Sequence, residues 1–132
     1  MLQEIKFKLP GPTDPVRVKS RGLDILNDPW LNKGTSFSDE ERETLGLKGL
    51  VPPYRADIEE QVQRVMENYW HNTDPLDKYV FLTALADRNV TLFYRVLMEN
   101  LTEMTPIMYT PTVGYACQQF GHIYRKNRGM YI

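Results

Sequence analysis

Apolar residues recur at helical spacing through most of the second half of the chain. Ile58, Val62, Val65, Met66, Tyr69 and Trp70 follow one another at steps of four, three, one, three and one, which predicts one apolar helix face opened by the capping residue Asp57. Upstream, Ser38 with Glu41 three positions on satisfies two orphan amide donors reciprocally and predicts a short helix stopping near Gly46. Asp74 before Pro75 marks the start of another helix, with Val80, Leu82, Ala84 and Leu85 on its apolar side. Leu92, Phe93, Val96, Leu97, Leu101 and Met104 predict one helix from about 90 to 104, ended by Pro106 because a residue before proline is pushed out of helical geometry. Thr110-Pro111 supplies a cap and a first helical position for a last helix over about 111 to 124. Its inward face is expected to be Val113, Ala116, Cys117, Phe120 and Tyr124, with Arg125, Lys126 and Arg128 as cations at its C-terminal end. Turn residues cluster at Asn27-Asp28-Pro29 and Asn32-Lys33-Gly34, and the run LPGPTDP over Leu9 to Pro15 makes residues 1–20 a loop-rich N-terminal arm. No strand pattern of comparable length appears. The expectation is a mainly α fold, a bundle of about five helices over residues 21–132 following that arm.

Length and charge narrow the function. With 132 residues and 42% hydrophobic positions the chain supports one domain around one core without disulfides, and its single Cys117 has no internal partner. A formal net charge of −1 argues against nucleic acid as the main partner, since phosphate neutralisation needs a basic face. The cluster Arg125-Lys126-Asn127-Arg128 reads better as a helix C-terminal group than as a nucleic-acid patch. No window holds the roughly 20 apolar residues of a membrane span, and the opening MLQEIKFKLP lacks a signal-peptide core, so a soluble, reducing, intracellular setting is expected. Within it, cytoplasm and mitochondrial matrix are equally compatible. The two triplets Asn89-Val90-Thr91 and Asn100-Leu101-Thr102 are then chance matches to a glycosylation pattern. Neither kind of Gly-rich phosphate loop is present, and His71 and His122 stand too far apart to suggest a zinc site within the chain.

One segment carries more. Tyr109-Thr110-Pro111-Thr112-Val113-Gly114, followed by Ala116-Cys117, resembles the signature of the malic enzymes. In the same order as in that family come Asn32-Lys33-Gly34 with Phe37, Glu41-Arg42, Gly49-Leu50-Val51-Pro52-Pro53, Asp87-Arg88-Asn89, Leu92-Phe93-Tyr94-Arg95, Pro106-Ile107, Tyr124-Arg125 and Arg128-Gly129. The similarity spans roughly residues 20 to 132. Members of the family oxidatively decarboxylate L-malate to pyruvate and carbon dioxide with NAD or NADP and a divalent metal, Mg2+ or Mn2+. The resemblance implies that this chain is their N-terminal helical domain. It also implies that the lysine base, a substrate-binding arginine, the acidic metal ligands and the Rossmann domain lie downstream. A fragment of this kind is expected to bind no cofactor or metal and to be inactive alone, with the full enzyme a homo-dimer or homo-tetramer. The alternative is a stand-alone, non-catalytic helical module that associates through apolar surface.

By the same resemblance Tyr109 is the general acid that protonates the enol of pyruvate; Thr110, Pro111 and Thr112 fix the turn that aims it, and Val113 and Gly114 complete the supporting motif. A free phenol has a pKa near 10, so it holds its proton at neutral pH and gives it up readily only where positive charge stabilises the phenolate. A helix opening directly after Tyr109 would supply some of that charge. For the remaining tyrosines, and for Cys117, a buried packing role is the ordinary reading. Gly114, costly inside a helix, suggests close approach of a ligand or a second helix. Some eukaryotic members bind the activator fumarate through two arginines that correspond to Arg64 and Arg88, and guanidinium forks suit carboxylates. This chain has Ala56 where those members are expected to carry a glutamate. The competing reading leaves Arg64 and Arg88 on solvated faces or pairs them with Glu60, Glu67 or Asp87 as weak surface contacts.

Overall fold

Side-chain caps set where the helices begin. In a computed structural model describing residues 15–132, Ser38 Oγ accepts from the Glu41 amide at 3.1 Å while Glu41 Oε2 accepts from the Ser38 amide at 2.8 Å. That reciprocal pair opens α2 (Asp39–Thr44), after α1 (Leu23–Asn27) and a 3-10 turn (Gly34–Ser36). Gly46, at φ +70°, lets the chain turn back so that the Leu47 amide reaches the Arg42 carbonyl at 2.8 Å, and the helix stops there as its sequence implies. Asp57 caps α3 (Ile58–His71) through the Glu60 amide, and Asp74 caps α4 (Pro75–Arg88) through the amides of Leu76 and Asp77.

A fourth cap lies inside the protein. Asn89 both ends α4 and opens α5 (Val90–Glu99), its buried side chain accepting from the Leu92 amide at 3.0 Å. Asn89→Ala is expected to lower stability by about 1–2 kcal/mol in urea denaturation, more than Asp57→Ala at its exposed cap. Equal effects at the two positions would show that burial adds nothing.

The predicted helix over 90–104 is two helices, because Asn100 leaves helical geometry (φ −128°, ψ 35°) and its side-chain amide donates to the Val96 carbonyl. After it, α6 (Leu101–Met108) runs through Pro106 instead of ending before it. The proline removes one amide donor, but Met104 and Ile107 are buried on the core side, and that tertiary burial outweighs the local cost. The last predicted helix also divides, into α7 (Thr112–Gln118) and α8 (Phe120–Ile123), at Gln119. The mainly α class stands. The expected five helices become eight among the described residues because two long ones are broken and α1 lies where a loop was read.

The expected single core is two clusters. The larger gathers Val62, Val65 and Tyr69 of α3, Leu82 and Leu85 of α4, Leu92, Phe93 and Val96 of α5, and Met104 and Ile107 of α6. The smaller holds Ile25, Phe37 and Leu47, with Val18 and Leu31 against it. Trp70 and Ala84, expected inward, face outward, since their faces turn past the contacts with neighbouring helices. Of the predicted arm, residues 15–20 have no helix, and the rest, most of LPGPTDP included, lies outside the described residues. Among the described residues no helix is long and apolar enough to cross a membrane.

The smaller cluster is closed by Arg42, only 5% exposed. Its guanidinium donates to five carbonyl oxygens, those of Phe37, Pro52, Pro53, Thr35 and Tyr54, at 2.8–3.3 Å. It thereby ties the Pro52-Pro53 loop to the 3-10 turn and α2.

Candidate functional site

Tyr109 occupies the corner between α6 and α7. Its backbone is extended (φ −126°, ψ −159°), its amide donates to the Thr105 carbonyl at 2.8 Å, and its carbonyl accepts from Val113 at 3.0 Å. The residue is therefore fixed from both helices through the main chain. The side chain is 69% exposed, and its hydroxyl has no hydrogen-bond partner among the described residues. An exposed phenol on a corner held by main-chain hydrogen bonds can present its proton to a bound molecule without first breaking an internal contact.

The turn that follows differs from its expected form. Thr110 caps nothing, the Thr110–Pro111 peptide is cis, and Pro111 precedes α7 instead of opening it. Thr112 and Ala116, four residues apart, are the buried positions of α7, which packs on α4 and α6. Cys117, Phe120 and Tyr124 are exposed, because the break at Gln119 ends the single face their spacing assumed. With seven residues, α7 also gives Tyr109 less dipole than a long helix would. Gly114 is open: a Cβ there would meet nothing within 4 Å, so no second helix approaches it among the described residues. Of the tyrosines expected to be buried, Tyr69 is, while Tyr54, Tyr94, Tyr115, Tyr124 and Tyr131 are exposed.

The two arginines border the same groove. Arg64 of α3 and Arg88 at the end of α4 line one open groove of about 300 Å3, together with Asn32, Gln61, Asn68 and Asn89. Tyr109 does not line it, so the structure keeps the two candidate regions apart. Arg64 pairs with Glu60 at 2.5 Å and lies over the Tyr54 ring at 5.5 Å. The surface-pair reading thus describes Arg64. Arg88 fits only the solvated-face half of that reading: it is exposed, but Asp87 is held at 2.8 and 3.0 Å by Arg128, and no carboxylate pairs with Arg88 among the described residues. Arg88 is exposed by surface area, and partial desolvation lowers its pKa from the ordinary guanidinium value. Ala56 is fully buried and forms no part of the groove. Arg125 donates to the carbonyls of His122 and Tyr124, as expected of a cation at a helix C-terminus, whereas Lys126 and Arg128 reach across to Asp87.

The family model "Malic enzyme, N-terminal domain" matches residues 86–132, a span that includes Arg88 and the whole run from Tyr109 to Gly114. The chain is 53% identical over 127 residues to NAD-dependent malic enzyme 3 of Bacillus subtilis (strain 168), covering 96% of this chain and 22% of that protein. The chain belongs to the malic enzyme family. Other malic enzymes agree: the hydrogenosomal malic enzyme of Neocallimastix frontalis is 50% identical over 86% of this chain and 19% of its own length. The mitochondrial NADP-dependent malic enzyme of Homo sapiens is 48% identical over 93% of this chain and 20% of its own. Both NAD- and NADP-dependent malic enzymes are thus among the relatives, and the chain spans about a fifth of their length.

Sequence reasoning missed three side chains that hold this malic enzyme domain together. Asn89 and Arg42 were visible only as family-like residues, and Lys78 gave no signal, since its partners come from two other helices, α3 and α6.

Proposed function

We propose that residues 21–132, after an arm at 1–20, act as the N-terminal helical domain of a malic enzyme whose full-length form converts L-malate to pyruvate and carbon dioxide. In this reading Tyr109 donates its hydroxyl proton to the methylene carbon of the enol of pyruvate in its ionised, enolate form, whose C–O− becomes the ketone C=O, giving pyruvate and leaving a phenolate to be reprotonated. The supporting observation is the placement of Tyr109, whose exposed phenol is unpaired among the described residues while its backbone is bonded to α6 and α7. Thr110 to Gly114 act by shaping the corner.

NAD or NADP and Mg2+ or Mn2+ would be held by the full-length enzyme, where the first would supply hydride chemistry and the second Lewis-acid chemistry. Among the described residues no three His, Cys, Asp or Glu side chains converge on a metal site, so these residues do not fit the cation and no step here is routed through it. The domain alone is expected to turn over no malate. The protein assembles as a homo-dimer or homo-tetramer, for which exposed apolar residues such as Trp30, Met98 and Leu101 provide surface. Turnover by Tyr109→Phe in the full-length enzyme tests the central claim.

A second role rests on the groove shared by Arg64 and Arg88. Arg88, which has no carboxylate partner among the described residues, and Arg64 on the same groove make it a site for a small dicarboxylate such as fumarate. Glu60 competes for Arg64. Losing one charged hydrogen-bonding partner costs about 1.5–3 kcal/mol, so Arg88→Gln is expected to weaken fumarate binding at least tenfold in calorimetric titration of the full-length enzyme. Undiminished affinity in that variant would place the effector elsewhere.

A further inference from the structure

Helix α6 cannot hold its own position. It has eight residues, spans about 12 Å, and contains Pro106, so isolated it would not persist. Yet its C-terminal end carries Tyr109. Met104 and Ile107 bury apolar surface, which favours contact but does little to fix rotation or register. The directional contact lies in the first turn. Glu103 Oε1 accepts from the Tyr69 hydroxyl at 2.9 Å and from Lys78 Nζ at 3.2 Å.

Those two donors come from different helices, Tyr69 from α3 and Lys78 from α4, and each is itself confined. Tyr69 is fully buried, and its phenol pKa is raised by that burial and by donation to Glu103. The Lys78 side chain is only 13% exposed. Its ammonium stands 4.6 Å from the centre of the Tyr69 ring and 4.5 Å from that of Trp70, so two ring faces and one carboxylate surround it. Trp70 is an outward residue whose contact with Lys78 gives it a place in the assembly. Three helices therefore converge on one carboxylate.

We infer that Lys78, through Glu103, is a positioning residue for Tyr109: the Lys78–Glu103–Tyr69 clamp sets the rotation and register of α6, and hence where the phenol points. This rests on the proton-donor reading of Tyr109, though the clamp's effect on α6 can be measured without it. Lys78 acts at one end of α6 and the chemistry is at the other, linked by the hydrogen-bonded turns that finish at Thr105 and Tyr109.

The test uses the full-length enzyme with Lys78→Met, Lys78→Arg and Glu103→Gln. Lys78→Met keeps length and apolar stem but removes the charge. It is expected to lower kcat at least tenfold with KM for malate within about twofold, because in this reading α6 carries the proton donor, whose aim matters in the transition state more than in binding. Lys78→Arg, which keeps the cation over the rings, is expected to recover most of that loss. Glu103→Gln, which still accepts from both donors, should lose less than Lys78→Met and serves if the latter fails to fold. Hydrogen exchange supplies the readout that does not need turnover. In Lys78→Met the amides of residues 101–113 should exchange at least tenfold faster, with those of α5 unchanged.

An unchanged kcat, or a uniform rise in exchange with no kcat change, overturns the positioning role and leaves Lys78 a packing residue. If Tyr109→Phe turns over normally while Lys78→Met loosens residues 101–113, the clamp stands and the proton-donor reading fails. Loss of kcat in Tyr109→Phe alone, with Lys78→Met indistinguishable from wild type in both assays, has the opposite meaning.

Discussion

Replacing Tyr109 with phenylalanine in the full-length enzyme is expected to lower turnover by about a hundredfold to ten-thousandfold, the usual range for loss of a positioned general acid. The substitution is clean. The hydroxyl it deletes has no partner among the described residues, the ring keeps its shape, and the backbone bonds to Thr105 and Val113 do not involve the side chain. Stability should therefore change by no more than about 0.5 kcal/mol, within the range of an exposed substitution. KM for malate should hold, because in the proposed role the proton is transferred only after carbon dioxide has left. A partial reaction isolates the step: exchange of the methyl hydrogens of pyruvate with deuterated solvent reverses protonation of the enol carbon. It should fall by the same factor as turnover. Near-normal turnover together with near-normal exchange would remove Tyr109 from the chemistry.

The largest effect on folding is expected at Arg42. Its guanidinium is almost completely buried and is satisfied by five backbone carbonyls instead of a carboxylate. Arg42→Met retains most of the stem but leaves the carbonyls of Thr35, Phe37, Pro52, Pro53 and Tyr54 without these donors. A buried acceptor left unpaired costs about 1–3 kcal/mol, and water entering the loop would restore part of the loss. A net destabilisation of about 3–5 kcal/mol follows, read as a lowered midpoint in urea. Lysine keeps the charge but loses the planar fork, so Arg42→Lys should fall between wild type and Arg42→Met. A Met variant that melts with wild type would mean that the two prolines hold the loop unaided.

The chain sequence settled whatever depends on neighbours close along the chain. Ser38 with Glu41, Asp57, and Asp74 before Pro75 each lie within three residues of the amides they satisfy, so the starts of α2, α3 and α4 were legible. The buried face of α3 was legible in large part too, because Val62, Val65 and Tyr69 sit on one unbroken helix. The signature from Tyr109 to Gly114 was legible as a resemblance, and the match over residues 86–132 agrees with it.

Tertiary structure decided the rest. Pro106 predicts a helix end, yet burial of Met104 and Ile107 carries α6 through it, while the break falls at Asn100, where no proline stands. The face drawn through Cys117, Phe120 and Tyr124 assumed a helix that Gln119 interrupts. Local spacing also could not tell which of two arginines would find a carboxylate: Glu60 is one turn from Arg64, but Asp87, adjacent to Arg88, is taken by Arg128 from 41 residues away. Arg42 and Lys78 show the same limit most clearly. Their partners are distributed over turns and helices that only folding brings together, so burial and hydrogen-bond geometry, and not sequence spacing, give these two side chains their roles.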